Sequence, residues 1–255
     1  MSSDEFLNER WLKKLDRQGQ ELSARIGVDR KTFGEVFDTK TLLRLGRLIS
    51  NNFIKQVDFP ISTGKEANVF RATTSEGSFL AVKIYRVETA NFINRAPYLD
   101  GDPRFNDIKK NERNMVSLFA RKEFKNLQIC EAAKVHAPTP VYLLDNVVVM
   151  DFLGEGGLPY PTMNLVGPRG EKDLDSLLAD IRKMYKAGLV HADISEYNVL
   201  MAAEVPYLID FGQGVVLGHP KAMEFLERDV RNILHYFAKF GFKRDLQKTL
   251  AWIKR

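Results

Sequence analysis

The chain has one cysteine, Cys130, among 255 residues. A lone thiol cannot close an internal disulfide, and no cysteine pair is available for a structural metal site. A reducing compartment follows, and the expected location is the cytoplasm. Long apolar runs are missing too. No stretch reaches the ~20 apolar residues that span a bilayer, and the opening MSSDEFLNERWLKKLDRQ lacks the apolar core of a signal peptide. No membrane partner is expected. Internal repeats and low-complexity tracts are absent, and neither sign of charge dominates. Lys and Arg number 38 against 33 Asp and Glu, a net +5. That mild excess suits RNA contact and suits an ordinary globular enzyme equally. What the chain does hold is 44% hydrophobic residues. That is enough for a sizeable core in one large or two-lobed domain.

Coarse periodicity divides the chain. Residues 41–54 (TLLRLGRLISNNFI) place Leu42, Leu45, Leu48 and Ile49 at helical spacing, with Asp38 or Thr39 as a cap. From Phe59, short apolar runs flank Glu76-Gly77, the signature of a hairpin. Residues 88–110 lose periodicity and carry Pro97, Gly101 and Pro103, so they are expected to form a long functional or mobile loop. Residues 111–134 return to helix, with Val116, Phe119, Ala120, Phe124, Leu127 and Cys130 as one stripe. NVVVMDFL (146–153) is a strand, and the Gly- and Pro-rich residues 154–161 form the best hinge. A helix over 173–187 stops at Gly188, VPYLIDF (205–211) is a strand, and a long helix covers 221–239.

Four pieces carry chemistry, and their order matters most. STGKEANV (62–69) can lay backbone N–H groups and the Ser62 hydroxyl against phosphate, with Lys65 beside them. Glycine is scarce here. The segment has neither the Gly-Lys-Ser/Thr of a Walker loop nor the three glycines of an ordinary kinase loop, so alone it is a plain hairpin turn. Lys83 in LAVKI is costly on an apolar strand unless its ammonium finds a partner; kinases use such a lysine to grip the α/β-phosphates. Glu123 sits on the apolar stripe between Phe119 and Leu127 and is the favoured partner, with Glu112 as the rival. HADISEYN (191–198) and IDFG (209–212) complete the set. Asp193, Asn198 and Asp210 have the order of a kinase catalytic loop followed by its metal-binding aspartate. Phosphoryl transfer needs a divalent cation, Mg²⁺ or Mn²⁺, on hard oxygens, here Asp210 and Asn198. It also needs a carboxylate to orient the attacking group, here Asp193. His191 is expected to hydrogen-bond the loop near Asp210, and Asp229 to accept from the catalytic-loop backbone.

STGKEANV, LAVKIYR, KEFKNL, VVMDFLG, HADISEYN, IDFGQ and GHP…FLERDVRNI together resemble the RIO family of atypical kinases, and STGKEANV its first subfamily. The resemblance covers about residues 36–245. It implies an α+β, bilobal protein-kinase-like fold: a helical extension over 1–56, a β-rich small lobe over 57–150 with one key helix, and a reduced helical large lobe over 151–255. It implies ATP as substrate and nucleotide contacts from Ser62, Lys65, Lys83 and Glu123, with adenine near Met150 against the backbone of Asp151 to Leu153. Asp193 and Asp210 carry the catalytic roles, and Asn198 and Asp210 the metal. Some members are ATPases that pass through an aspartyl-phosphate, and members act in small-ribosomal-subunit maturation. The expected partners are thus a pre-small-subunit particle or ribosomal RNA, and a protein with serine or threonine to modify. The lack of a long charged tail suits an archaeal member.

Departures from ordinary kinases fit this pattern. Position 195 is Ser rather than Lys, only eight residues (213–220) separate Gly212 from the next helix, and no A-P-E segment follows. The helices that dock peptides elsewhere are expected to be missing. A small-molecule kinase of the aminoglycoside type and a non-catalytic nucleotide-dependent assembly factor remain the alternatives. Arg104, Lys109, Lys110, Arg113, Arg121, Lys122 and Lys125 are expected to form a positive outer face beside the ATP site.

Overall fold

In the computed structural model, residues 39–86, 96–99, 101–105 and 112–255 are described. The expected cap at Asp38, much of the expected loop over 88–110, and Lys109 and Lys110 of the expected positive face lie outside them. The chain opens with helix α1 (Thr39–Ser50), followed by strands β1 (Gln56–Thr63), β2 (Ala67–Thr73) and β3 (Phe79–Tyr85). A short helix α2 (Ala96–Leu99) precedes the long helix α3 (Glu112–Ala132), and β4 (Pro140–Leu144) and β5 (Val147–Asp151) close an antiparallel sheet ordered β1-β2-β3-β5-β4.

Side chains alternate across a sheet, and this sheet uses both faces. Val82 and Ile84 of β3, Val147 and Val149 of β5 and Phe70 of β2 pack against Leu45 and Leu48 of α1. Ala81 and Tyr85 of β3 and Val148 and Met150 of β5 face the other way, into the core that includes Phe119, Leu127 and Cys130 of α3. Fully burying each of the Val, Leu, Ile, Phe and Met side chains among these contributes about 1.5–3 kcal/mol. Lys83 lies on this second face by the same period of two.

Beyond β5 come the two-stranded ribbon β6 (Gly154–Glu155) and β7 (Leu158–Pro159), then helices α4 (Met163–Val166) and α5 (Glu171–Lys186). Strands β8 (Leu189–Val190), β9 (Val199–Met201), β10 (Pro206–Leu208) and β11 (Val215–Val216) make two more ribbons, β9 with β10 and β8 with β11. Helices α6 (Ala222–Ala238) and α7 (Leu246–Lys254) complete the second lobe. Helix α5 stops where Gly188 takes φ 83°, a left-handed turn that glycine enters without a Cβ penalty.

Three expectations take a different form in the structure, and two elements are new. The hinge at 154–161 contains the β6–β7 hairpin, tied to the sheet by Arg71, whose guanidinium donates to the Gly157 carbonyl at 2.6 Å. The stretch expected as a long loop includes α2 and a tight turn at Pro103–Phe105, with Leu99 and Phe105 buried. The strand expected over 205–211 ends at Leu208, because Asp210 turns left-handed at φ 64°. Strand β4 and helix α7 were not expected at all. Among the described residues no helix is long and apolar enough to cross a membrane.

Candidate active site

A cavity of about 680 Å³ opens between the sheet and the helical lobe. Ser62, Lys65, Lys83, Glu123, Met150, Asp151, Leu153, Asn198 and Asp210 all line it. Asp193 does not line it but adjoins it through Asn198, whose Nδ2 donates to Asp193 Oδ2 at 3.2 Å and to its carbonyl at 2.9 Å. Residues separated by more than a hundred positions thus meet in one cleft.

Lys83 is at its centre. Its Nζ donates to Glu123 Oε1 at 2.7 Å and to Asp210 Oδ1 at 3.0 Å, and the residue is 6% exposed. Burial alone lowers an ammonium's pKa, but the Asp210 and Glu123 carboxylates outweigh it and hold Lys83 above its ordinary range. Lys83 therefore stays charged. Glu123 also accepts from the Tyr85 hydroxyl at 2.5 Å and from the Phe211 amide at 3.2 Å. The structure thus selects Glu123 as the partner of Lys83.

The β1–β2 turn lines the cavity through Gly64, Lys65 and Glu66, with the Gly64 amide donating to the Ala67 carbonyl at 3.0 Å. On the opposite wall, Met150 pairs with Ala81 across β5 and β3, and the Asp151 amide is already used by the Thr139 carbonyl at 2.9 Å.

The catalytic-loop segment is held from behind. Ala192 adopts φ 64°, which costs a non-glycine residue about 1–3 kcal/mol. Asp229 on α6 accepts from the amides of Ala192 at 2.7 Å and Ile194 at 3.1 Å, while Arg228 donates to the Ala192 carbonyl. Burial pushes the Asp229 carboxyl up to about 7, against the lowering effect of those amides. His191 Nε2 lies 3.0 Å from the Ile209 carbonyl. Burial lowers its pKa to about 4, so at neutral pH the ring is neutral, with the Nε2 proton on that carbonyl. Its Nδ1 is buried without a hydrogen bond.

Sequence reasoning missed three polar residues here. Lys122, expected on an outer positive face, is fully buried, and its Nζ donates to the carbonyls of Gly212 at 3.2 Å and Gln213 at 2.9 Å. Asn126, one turn on, donates to the carbonyls of Phe211 at 2.8 Å and Gly214 at 2.9 Å. Gln213 donates to Asp193 Oδ2 at 3.1 Å. The available signal was the spacing of Lys122 and Asn126, which puts them on the stripe of Phe119 and Cys130. The positive face is further reduced because Arg104 turns onto Asp102 at 2.7 Å and Asn126 at 2.8 Å; Arg121 and Lys125 remain exposed.

The family comparisons agree with this geometry. A RIO-domain profile matches residues 68–249. The chain is 36% identical to the RIO-type serine/threonine-protein kinase Rio1 of Haloferax volcanii over 248 residues, 96% of this chain and 85% of that one. It is 37% identical to the Rio1 of Methanocaldococcus jannaschii, covering 92% and 83%. The human serine/threonine-protein kinase RIO1 is 35% identical, but this chain spans 43% of its length. Among solved structures, the Rio2 kinase of Chaetomium thermophilum, described as an ADP/Mg²⁺-phosphoaspartate complex, superposes with TM-score 0.62 at 23% identity. That match covers 84% of this chain and 66% of that one and establishes the bilobal fold. Kinase relatives of this similarity imply ATP and a protein substrate. The chain belongs to the RIO family of atypical serine/threonine protein kinases, in its Rio1 branch.

Proposed function

We propose that this kinase transfers the γ-phosphoryl group of ATP within the cleft, and that its principal work is as an ATP-driven switch on a small-ribosomal-subunit precursor. One observation carries the site assignment: Lys83 bridges Glu123 and Asp210 in a cavity that Asn198 also lines, with Asp193 hydrogen-bonded to Asn198. The adenine fits beside Met150 against residues 151–153, and Ser62 and Lys65 lie over the phosphates. Lys83, held charged, grips the α/β-phosphates. Asp193 orients the acceptor hydroxyl or water and takes its proton.

The donor set fits a hard divalent cation, Mg²⁺ or Mn²⁺. Asp210 offers a carboxylate that is 36% exposed to the cleft. Asn198 spends its Nδ2 on Asp193, which leaves the amide oxygen for a cation. Among the described residues no group of three His, Cys, Asp or Glu stands ready as a cage, so phosphate oxygens would complete the shell. Such an ion, when bound, neutralises charge on the phosphates.

The switch reading draws on the family resemblance and on the short stretch after Gly212. There β11 and a turn lead directly into α6, leaving little chain to support a peptide. The ribosomal partner and the cytoplasmic location rest on the resemblance and on the solitary cysteine. The test is ATP hydrolysis with and without purified pre-small-subunit particles. Stimulation is the expected result. Indifference, together with transfer to a soluble protein, would replace the switch by an ordinary protein kinase.

A further inference from the structure

Gln213 has no role in the reading above, yet it reaches the proposed acceptor-orienting carboxylate, Asp193. We infer that Gln213 is a positioning residue for Asp193, fixed in place by the helix that carries Glu123. The inference rests on the proposed role of Asp193.

The geometry has two parts. The first is at the carboxylate. Gln213 Nε2 donates to Asp193 Oδ2 at 3.1 Å, and Asn198 Nδ2 donates to the same oxygen at 3.2 Å. The two donors come from different segments, one inside the catalytic loop and one beyond Asp210. Converging on one oxygen, they set the rotation of the carboxylate about its Cβ–Cγ bond. Hydrogen bonds to an ionised acceptor are about twice as strong as neutral ones, so this restraint is worth more than its count suggests.

The second part is behind Gln213. Its own carbonyl and that of Gly212 accept from the buried ammonium of Lys122 at 2.9 and 3.2 Å. The neighbouring carbonyls of Phe211 and Gly214 accept from Asn126 at 2.8 and 2.9 Å. The Phe211 amide donates to Glu123 at 3.2 Å. Four consecutive carbonyls are therefore held by one face of α3. Gly214 permits the approach, since a Cβ there would lie 2.8 Å from Asn126 Nδ2. A glutamine side chain is long and loses rotamer freedom when ordered; a backbone held at four carbonyls presents it to Asp193 from a fixed origin. The same helix that pairs with Lys83 thereby also sets the carboxylate on the acceptor side.

Gln213→Leu keeps the bulk and removes the donor. Its kcat for ATP turnover is expected to fall about 10- to 100-fold, the range for losing a hydrogen bond to a charged group, while KM for ATP and the melting temperature stay near wild type. Gln213→Asn, one methylene too short to reach, should show the same loss with less change in shape. In an Asp193→Asn background, Gln213→Leu should cost nothing further, because the two act on one step. Wild-type kcat in both Gln213 variants, with Asp193→Asn inactive, overturns this inference alone. A melting temperature that drops in step with kcat makes Gln213 merely structural and overturns it too. Wild-type turnover by Asp193→Asn removes the role of Asp193, and this inference with it.

Discussion

Two buried carboxylates, Glu123 on α3 and Asp229 on α6, hold the two halves of the cleft by different physics. Each is 1% exposed. Glu123 meets a cation, Lys83, and adds a tyrosine hydroxyl and one amide. Asp229 meets two backbone amides, with Arg228 nearby. A carboxylate paired with an ammonium transmits charge into the site. One that accepts from amides shapes a loop instead. The first arrangement suits the proposed phosphate grip, and the second holds Ala192 left-handed beside Asp193.

The largest expected effect strikes the charge-paired side. Lys83→Ala should lower ATP turnover about 100-fold or more, with a smaller change in nucleotide affinity, because the lysine orients phosphates that other groups also hold. Glu123→Ala should follow it in turnover and also lose stability, but by less than the about 3–5 kcal/mol of stranding a buried charge, because Lys83 keeps Asp210 as a partner. Steady-state kinetics with a nucleotide-binding titration separates the two effects. Near-normal turnover in both variants would erase the contrast.

On the amide-held side, stability should suffer before chemistry does. Asp229→Ala strands two buried N–H groups at about 1–3 kcal/mol each and releases strain at Ala192. Its thermal midpoint should drop well below that of Asp229→Asn, which keeps one acceptor oxygen. Ala192→Gly tests the strain directly. A left-handed residue is easier for glycine, so this variant should partly restore the midpoint when combined with Asp229→Asn. Equal midpoints for all of these variants would mean that Asp229 supports nothing.

The smallest effect is in pH. Burial raises Asp229 from an ordinary 3.8 to about 7. Over that interval the folded chain holds a proton that the unfolded chain has released, so this stabilisation is full at low pH and fades as pH rises. His191 runs the other way. Its pKa falls from 6.5 to about 4, so its contribution is full above 6.5 and is lost as pH falls toward 4. The two slopes oppose each other between about 4 and 6.5. His191→Gln removes one of them, and the midpoint of that variant should decline across this window by a few degrees more than wild type. Parallel curves would refute the assignment.

Much of the site was legible because its chemistry demands particular residues in chain order. A strand lysine, an acid on an apolar stripe and the Asp193–Asn198–Asp210 spacing each have a local signature. Asp229 and His191 were readable for a related reason: a polar group on an apolar face must find a partner. Lys122 was misjudged by the opposite rule. A lysine flanked by charges normally faces water, and its acceptors are carbonyls 90 residues away that leave no trace in composition. Gln213 was invisible for the same reason. In the fold, glycine and proline at 154–161 concealed a ribbon of two two-residue strands, and Pro140 disguised β4. Helix α7 had a readable start, since Asp245 accepts from the Lys248 amide at 2.8 Å.

The central claim is that Lys83, Glu123, Asp193, Asn198 and Asp210 form one metal-assisted phosphoryl-transfer site. Its most direct test is Mg²⁺-dependent ATP turnover by Asp210→Ala, measured beside wild type with nucleotide binding followed in parallel. Turnover should disappear while binding of the adenine nucleotide persists. Normal Mg²⁺-dependent hydrolysis by this variant would place the reaction somewhere other than this cleft.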